Sequence, residues 1–296
     1  MSGQRHGAVA LALGICLATI GGVVPGRAGA AEIKRSTERT FDLAPGGVVR
    51  IDNQNGRVTV EAWDQPRARV QIVRVVRATD VEKAEAYLRG LRAEIDVGRD
   101  GLTITSRYPK RHESVGFWDL IGQRIASAQI NYYVQVPRET RLDLATTNGP
   151  VRVRGTRGAL QAETTNGAID LSKVTGAVDA QTTNGSIEFS DVQGAAKAET
   201  TNGSVTVALR GLEAGGVTLE TTNGSIEVYL PDPLRANLDA ATTNGKVYVS
   251  FPLTTQGVMT SKSVRGMIGG GGPKISLLTT NGNIEVRRLN ERESER

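Results

Sequence analysis

Beyond residue 48 apolar and polar residues alternate along most of the chain, and one tetrapeptide punctuates the alternation. TTNG stands at 146–149, 164–167, 182–185, 200–203, 221–224, 242–245 and 279–282. Its glycines lie 18, 18, 18, 21, 21 and 37 residues apart, and from Gly149 to Gly203 a glycine recurs every nine residues. Apolar side chains stand two and four places beyond each TTNG glycine, as in Val151/Val153, Ile169/Leu171 and Ile187/Phe189. A matching pair leads into each TTNG, as in Leu142/Leu144, Leu160/Ala162 and Val217/Leu219. Period two places such side chains on one face of a strand. No 3.6-residue stripe is present, and Thr, Val and Gly are poor helix formers, so the region is not helical.

Two short strands per 18 residues, repeated in register, predict an all-β fold: a parallel β-solenoid of two sheets about 10 Å apart with coils stacked at about 4.8 Å. TTNG is then the corner at which the chain passes from one sheet to the other. Asn148, Asn166, Asn184, Asn202, Asn223, Asn244 and Asn281 are expected to stack amide on amide. Positive φ at Asn and Gly explains the choice of Gly149, Gly167, Gly185, Gly203, Gly224, Gly245 and Gly282. The first Thr of each pair points inward, where its hydroxyl meets corner backbone groups, and the second faces solvent.

"VVRIDNQNGRVTVEAW" at 48–63 fits the same template as a divergent early coil. After it the pattern predicts a small inserted helix at 79–91, capped by Thr79 or Asp80, and a strand pair "AEIDV" and "LTITS". A loop insertion at 107–128 precedes "INYYVQVP", which leads into the array. The edge opposite TTNG grows along the chain, from "RGTR" at 154–157 to the long stretch 250–272. Residues 31–286 read as one solenoid domain, and 287–296 as a charged flexible tail.

The N-terminal residues change the setting. Basic Met1–Gly7, the uncharged apolar run Ala8–Val24 and small residues before Ala30 predict a signal peptide cleaved near Ala30. The alternative is an uncleaved anchor, since Ala8–Val24 nears the lower spanning length. Bulky Ile15 before Cys16, the only cysteine, suits lipoprotein processing badly. The formal charge is +5, and loss of Arg5 and Arg27 leaves 34 basic against 31 acidic residues, or +3. That balance does not call for nucleic acid. With no cysteine and only His112 after residue 30, thiolate zinc sites, histidine metal sites and His-dependent nucleophilic catalysis are not expected.

Chemistry on the repeat itself also finds little support. Calcium β-rolls need Asp two places after the repeat glycine, where this chain has Val151, Ile169, Ile187, Val205, Ile226, Val247 and Ile284. A hexapeptide period fails, because steps of six from Leu160 reach Asn166 and Ser172. The single outward Thr column, flanked by Glu, poorly matches a flat two-column ice-binding array. Glu199 and Glu220 should stand one coil apart, about the carboxylate separation of a retaining glycosidase, but on a solvated face.

The serial "TTNGSIEV", "NYYVQVPRETRLDLATTNGPVRV" and the closing "GGGGPKISLLTTNGNIEV" resemble the bacterial "putative-adhesin" family of exported β-strand-repeat proteins, over about residues 40–287. The resemblance implies a parallel β-solenoid in the cell envelope and supplies no catalytic residues. The expectation is a non-enzymatic structural or adhesive module without cofactor or metal. The alternatives are a carbohydrate-active solenoid enzyme and a periplasmic regulatory or sensory partner. Phe117, Trp118, Leu253 and Met259 are the candidate interaction surface. The partner expected is an envelope protein or a glycan, with self-association open and no nucleic acid.

Overall fold

The computed structural model describes residues 31–109, 125–255 and 259–294. Two large sheets face one another with the apolar core between them, and the chain passes from one to the other at each TTNG. The lead-in strands are β8 (Arg141–Asn148), β10 (Leu160–Asn166), β12 (Val178–Asn184), β14 (Ala196–Asn202), β16 (Val217–Asn223), β18 (Ala236–Asn244) and β22 (Lys274–Asn281). Their lead-out partners are β9 (Val151–Arg154), β11 (Ile169–Thr175), β13 (Ile187–Gln193), β15 (Val205–Gly211), β17 (Ile226–Leu230), β19 (Val247–Val249) and β23 (Ile284–Arg288).

Neighbouring coils pair in parallel with like residues superposed, as Thr164 on Thr182 on Thr200 and Asn166 on Asn184 on Asn202. The coil from Val178 to Gln193 buries Val178, Ala180, Ile187, Phe189 and Val192. Full burial stabilises by about 1.5–3 kcal/mol for each of the larger side chains. That burial exists only when coils above and below are present.

The stacking order departs from the chain order at both ends. β2 (Val48–Asn55) and β3 (Val58–Trp63) form the early coil beside β8 and β9. A coil further out is made by later residues, β6 (Gly101–Arg107) and β7 (Ile125–Pro137). At the other end the last coil, β22 with β23, lies between β16/β17 and β18/β19. The stacking order of the repeats is therefore not their chain order: the 279–282 corner precedes the 242–245 corner along the axis.

Antiparallel strands close the ends. β1 (Ala31–Asp42) and β4 (Arg67–Ala78) extend one sheet beyond β7, and β5 (Arg92–Val97) edges the other. The alternation in "RARVQIVRVVRA" is the signal for β4 that a search for TTNG passes over. β20 (Thr254–Thr255) and β21 (Ser263–Ile268) finish the second sheet beyond β18. Within 250–272, Thr254–Thr255 and Ser263–Ile268 thus cover the edge of β18.

Helix α1 (Val81–Gly90) has Asp80 as N-cap, whose side chain accepts the Lys83 N–H at 2.8 Å, and it buries Ala84 and Leu88. Of the tail expected at 287–296, residues 287–294 are described and carry regular structure. Arg287 and Arg288 complete β23, and helix α2 (Leu289–Ser294) folds onto the outer face of the lead-out sheet. Arg292 bonds Glu188 at 2.7 Å and lies over the Tyr229 ring at 5.4 Å, which leaves the outward Tyr229 3% exposed. Of the loop insertion expected at 107–128, Arg107 ends β6 and residues 125–128 begin β7, while 110–124 lie outside the described residues.

Candidate interaction surfaces

The TTNG corner spends its polar groups on the neighbouring coil. Each asparagine donates Nδ2 to the Oδ1 of the asparagine before it in the stack: Asn148 to Asn55 at 2.6 Å, Asn166 to Asn148 at 2.9 Å, Asn184 to Asn166 at 2.9 Å and Asn202 to Asn184 at 2.9 Å. The run continues through Asn223 at 2.9 Å, Asn281 at 2.8 Å and Asn244 at 2.8 Å. The first Thr works in parallel: Thr182 Oγ1 donates to Gly167 O at 3.0 Å and Thr200 Oγ1 to Gly185 O at 2.9 Å. The second Thr of each pair is exposed.

Positive φ accounts for the choice of glycine at Gly149 (146°), Gly203 (157°) and Gly282 (154°) but not at the other four corners. Among the described residues the non-glycine positive φ values are at Lys173 (54°) and Asp191 (65°), on the opposite edge, so the corner asparagines are not left-handed. Gly203 has φ 157°, whereas Gly185 is outside the positive-φ set. What every TTNG glycine shares is proximity: a Cβ on Gly185 would stand 2.0 Å from Gly167 O, and one on Gly282 2.1 Å from Gly224 O. The close approach of stacked backbones excludes any side chain there.

At the first corner Asn53 takes the place of the inward Thr, and its Nδ2 reaches both Gly56 O at 3.1 Å and Ile130 O at 3.0 Å. Its Oδ1 accepts from Ser106 Oγ at 2.7 Å, which also lies 2.7 Å from the Tyr132 hydroxyl. Tyr132, on β7, is fully buried, and burial pushes its phenol well up. Tyr108 closes the asparagine ladder. Its hydroxyl donates to Asn55 O at 2.6 Å and accepts from Asn55 N at 3.1 Å, and burial raises its pKa to about 12.

The outer face of the lead-in sheet carries the carboxylate column. Glu199 and Glu220 are direct cross-strand neighbours, and with Glu163, Gln181 and exposed Leu278 they line an open groove of about 400 Å³. Lys197 Nζ sits 2.9 Å from Glu199 Oε1, and that bond raises the Lys197 ammonium above its usual range. Similar pairs tie Arg50 to Asp143 at 3.3 Å and, on the lead-out sheet, Arg152 to Asp170 at 3.7 Å. Such exposed pairs contribute about 0–1 kcal/mol each.

Of the four candidate interaction residues, Phe117 and Trp118 lie outside the described residues. Leu253 is half-buried and packs against the core, so it belongs to the C-terminal cap, whereas Met259 is 49% exposed. A different surface, unassigned by the repeat pattern, lies on the outer face of β1, β4 and β7. There Val73 and Val75 form a floor, 7% and 6% exposed, with Gln71, Asn131, Gln129 and the 38%-exposed Tyr133 around it. The depression has a volume of about 560 Å³. Outward residues of two long alternating strands were the available signal.

Among the described residues no helix is long and apolar enough to cross a membrane. No curated protein matches the chain. Among solved structures, one described as a "putative adhesin" from Bacteroides fragilis NCTC 9343 is 11% identical, with 86% of this chain and 96% of that one covered and a TM-score of 0.43. A "putative cell adhesion protein" from Clostridium sporogenes ATCC 15579 is 10% identical, with 86% and 99% covered and a TM-score of 0.35. Residues 172–287, from β11 to the intercalated β23, match the family model described as Toastrack DUF4097. Residues 172–287 are thus similar to Toastrack DUF4097, a domain of unknown function, and are built here as coils of a parallel β-solenoid.

Proposed function

We propose that the chain is an exported, non-enzymatic β-solenoid of the cell envelope that serves as a structural or adhesive interaction module. One observation carries the reading: the first Thr and the Asn of the repeated corner are committed to bonds between coils, and its Gly to the close approach of stacked backbones. The most repeated motif therefore builds the scaffold and is not available as a reagent. The leader-like pattern of Met1–Ala30 supports export. The partner is an envelope protein or a glycan.

The carbohydrate-active alternative draws on the Glu199–Glu220 adjacency. Against it, the groove is open and Glu199 is already paired with Lys197. A reducing-end assay on neutral and acidic polysaccharides decides between the two, with Glu199→Gln as control. Turnover lost in the variant would overturn the module. Pull-down from envelope fractions should retain a partner with the wild type, and lose it on deletion of 113–122 or on Met259→Ser.

A further inference from the structure

We infer that the depression on the outer face of β1, β4 and β7 is a binding site for a neutral saccharide. The inference rests on the reading of the chain as a binding module and names the ligand class of one surface on it. Strand register builds the site: Gln71 stands opposite Tyr133, Val73 opposite Asn131 and Val75 opposite Gln129. On the other side of β4, Ser36 and Lys34 stand opposite Val73 and Val75. The result is an apolar floor rimmed by amides, a hydroxyl and a partly exposed aromatic ring.

This chemistry differs from the rest of the outer surface. Over the coils the outward side chains are joined in cross-strand ion pairs such as Arg152–Asp170 and Arg50–Asp143. Here, among the described residues, the side chains of Gln71, Gln129 and Tyr133 have no hydrogen-bond partner, and Asn131 uses its Oδ1, which accepts from Arg57 N at 2.8 Å. Beside Tyr133 on β3, the buried Thr59 hydroxyl also has no partner. Polar capacity left unspent around a dry floor suits an outside ligand.

The ligand class follows from the donor set. A primary amide offers donors and an acceptor in one plane, which matches hydroxyl groups that both give and accept; a carboxylate or ammonium offers only one role. The Tyr133 ring and the two valines supply apolar surface for the C–H face of a sugar ring. The charges bordering the site are Lys34 and Glu32, of opposite sign, and Glu32 is held by Arg77 at 2.6 Å. A neutral ligand loses nothing to that balance. The volume of about 560 Å³ lies within the roughly 300–1,000 Å³ of small-ligand sites.

Calorimetric titration of the purified chain with cellohexaose, maltohexaose, chitohexaose and polygalacturonate tests the assignment. At least one neutral hexaose should bind, and Tyr133→Ala and Gln129→Ala should each weaken it by about tenfold or more. Glu199→Gln, on the other sheet, should leave binding unchanged. Gln129→Ala alters only a rim amide and keeps the test decisive if Tyr133→Ala melts early. Binding of polygalacturonate alone, binding of none of the four, or unchanged affinity in Gln129→Ala would overturn the site. If an envelope partner is retained while every hexaose fails, the site falls and the module reading stands; release of reducing ends would remove the module itself.

Discussion

Asn281 donates its Nδ2 to Asn223 Oδ1 at 2.8 Å across 58 residues of chain, although Asn244 lies nearer in sequence. Asn244 instead donates to Asn281, so the last coil is intercalated between two earlier ones. Ending the chain after Pro273 would then strip β16 and β18 of their shared neighbour. Urea unfolding of that truncation should lose several kcal/mol, roughly the burial of Ile275, Leu277, Ile284 and Val286 together. A merely terminal coil would come away with the remaining transition intact.

Glycine at the corner is demanded by the coil beneath. Gly185→Ala would put a Cβ 2.0 Å from Gly167 O, whereas the nearest atom to a Cβ on Gly98 is 3.7 Å away. Thermal melting should show Gly185→Ala destabilised by about 2–4 kcal/mol and Gly98→Ala within about 0.5 kcal/mol of wild type. Equal effects of the two would contradict the close-approach account.

The inward threonine acts through its hydroxyl. Thr200→Val keeps the shape but removes the bond to Gly185 O, and should cost about 1 kcal/mol. Thr200→Ser keeps the donor and should recover most of that loss in chemical denaturation.

Tyr108 gives the fold a sensitivity to alkali. Its folded pKa, about 12, exceeds the ordinary tyrosine value of 10.0 because burial disfavours the phenolate. Between those values the native state holds a proton that the unfolded chain releases. The stabilisation is fully present below pH 10 and is lost as pH rises towards 12. Tyr132 shifts in the same direction. Stability measured from pH 8 to 12 should fall less steeply in Tyr108→Phe than in wild type, and parallel curves would exclude Tyr108 as a contributor.

The coil itself is plain in the sequence, because a corner that recurs with period-two flanks admits one backbone path per repeat. Asp80 likewise announces its helix through a cap. Coil order is hidden for a physical reason: Ile226, Val247 and Ile284 are near-equivalent in the same inward column, so side chains alone do not say which coil lies on which. Only connections report it, and the 37-residue interval before the last TTNG glycine reads equally well as a loop. The saccharide surface was hidden differently. It lies on strands whose inward residues build a cap, and its outward residues acquire meaning only when β4 meets β7 in register.

Engineered disulfides read the coil order directly, in a chain beginning at Ala31 so that Cys16 is absent. Glu220 lies opposite Leu278, and Leu278 opposite Ala241, all outward-facing. Neighbouring strands, about 4.8 Å apart, fall within disulfide reach, whereas two strand spacings exceed it. Mild oxidation should therefore cross-link Glu220→Cys with Leu278→Cys and leave Glu220→Cys with Ala241→Cys reduced. The reverse pattern would show the coils stacked in chain order and contradict the intercalated solenoid.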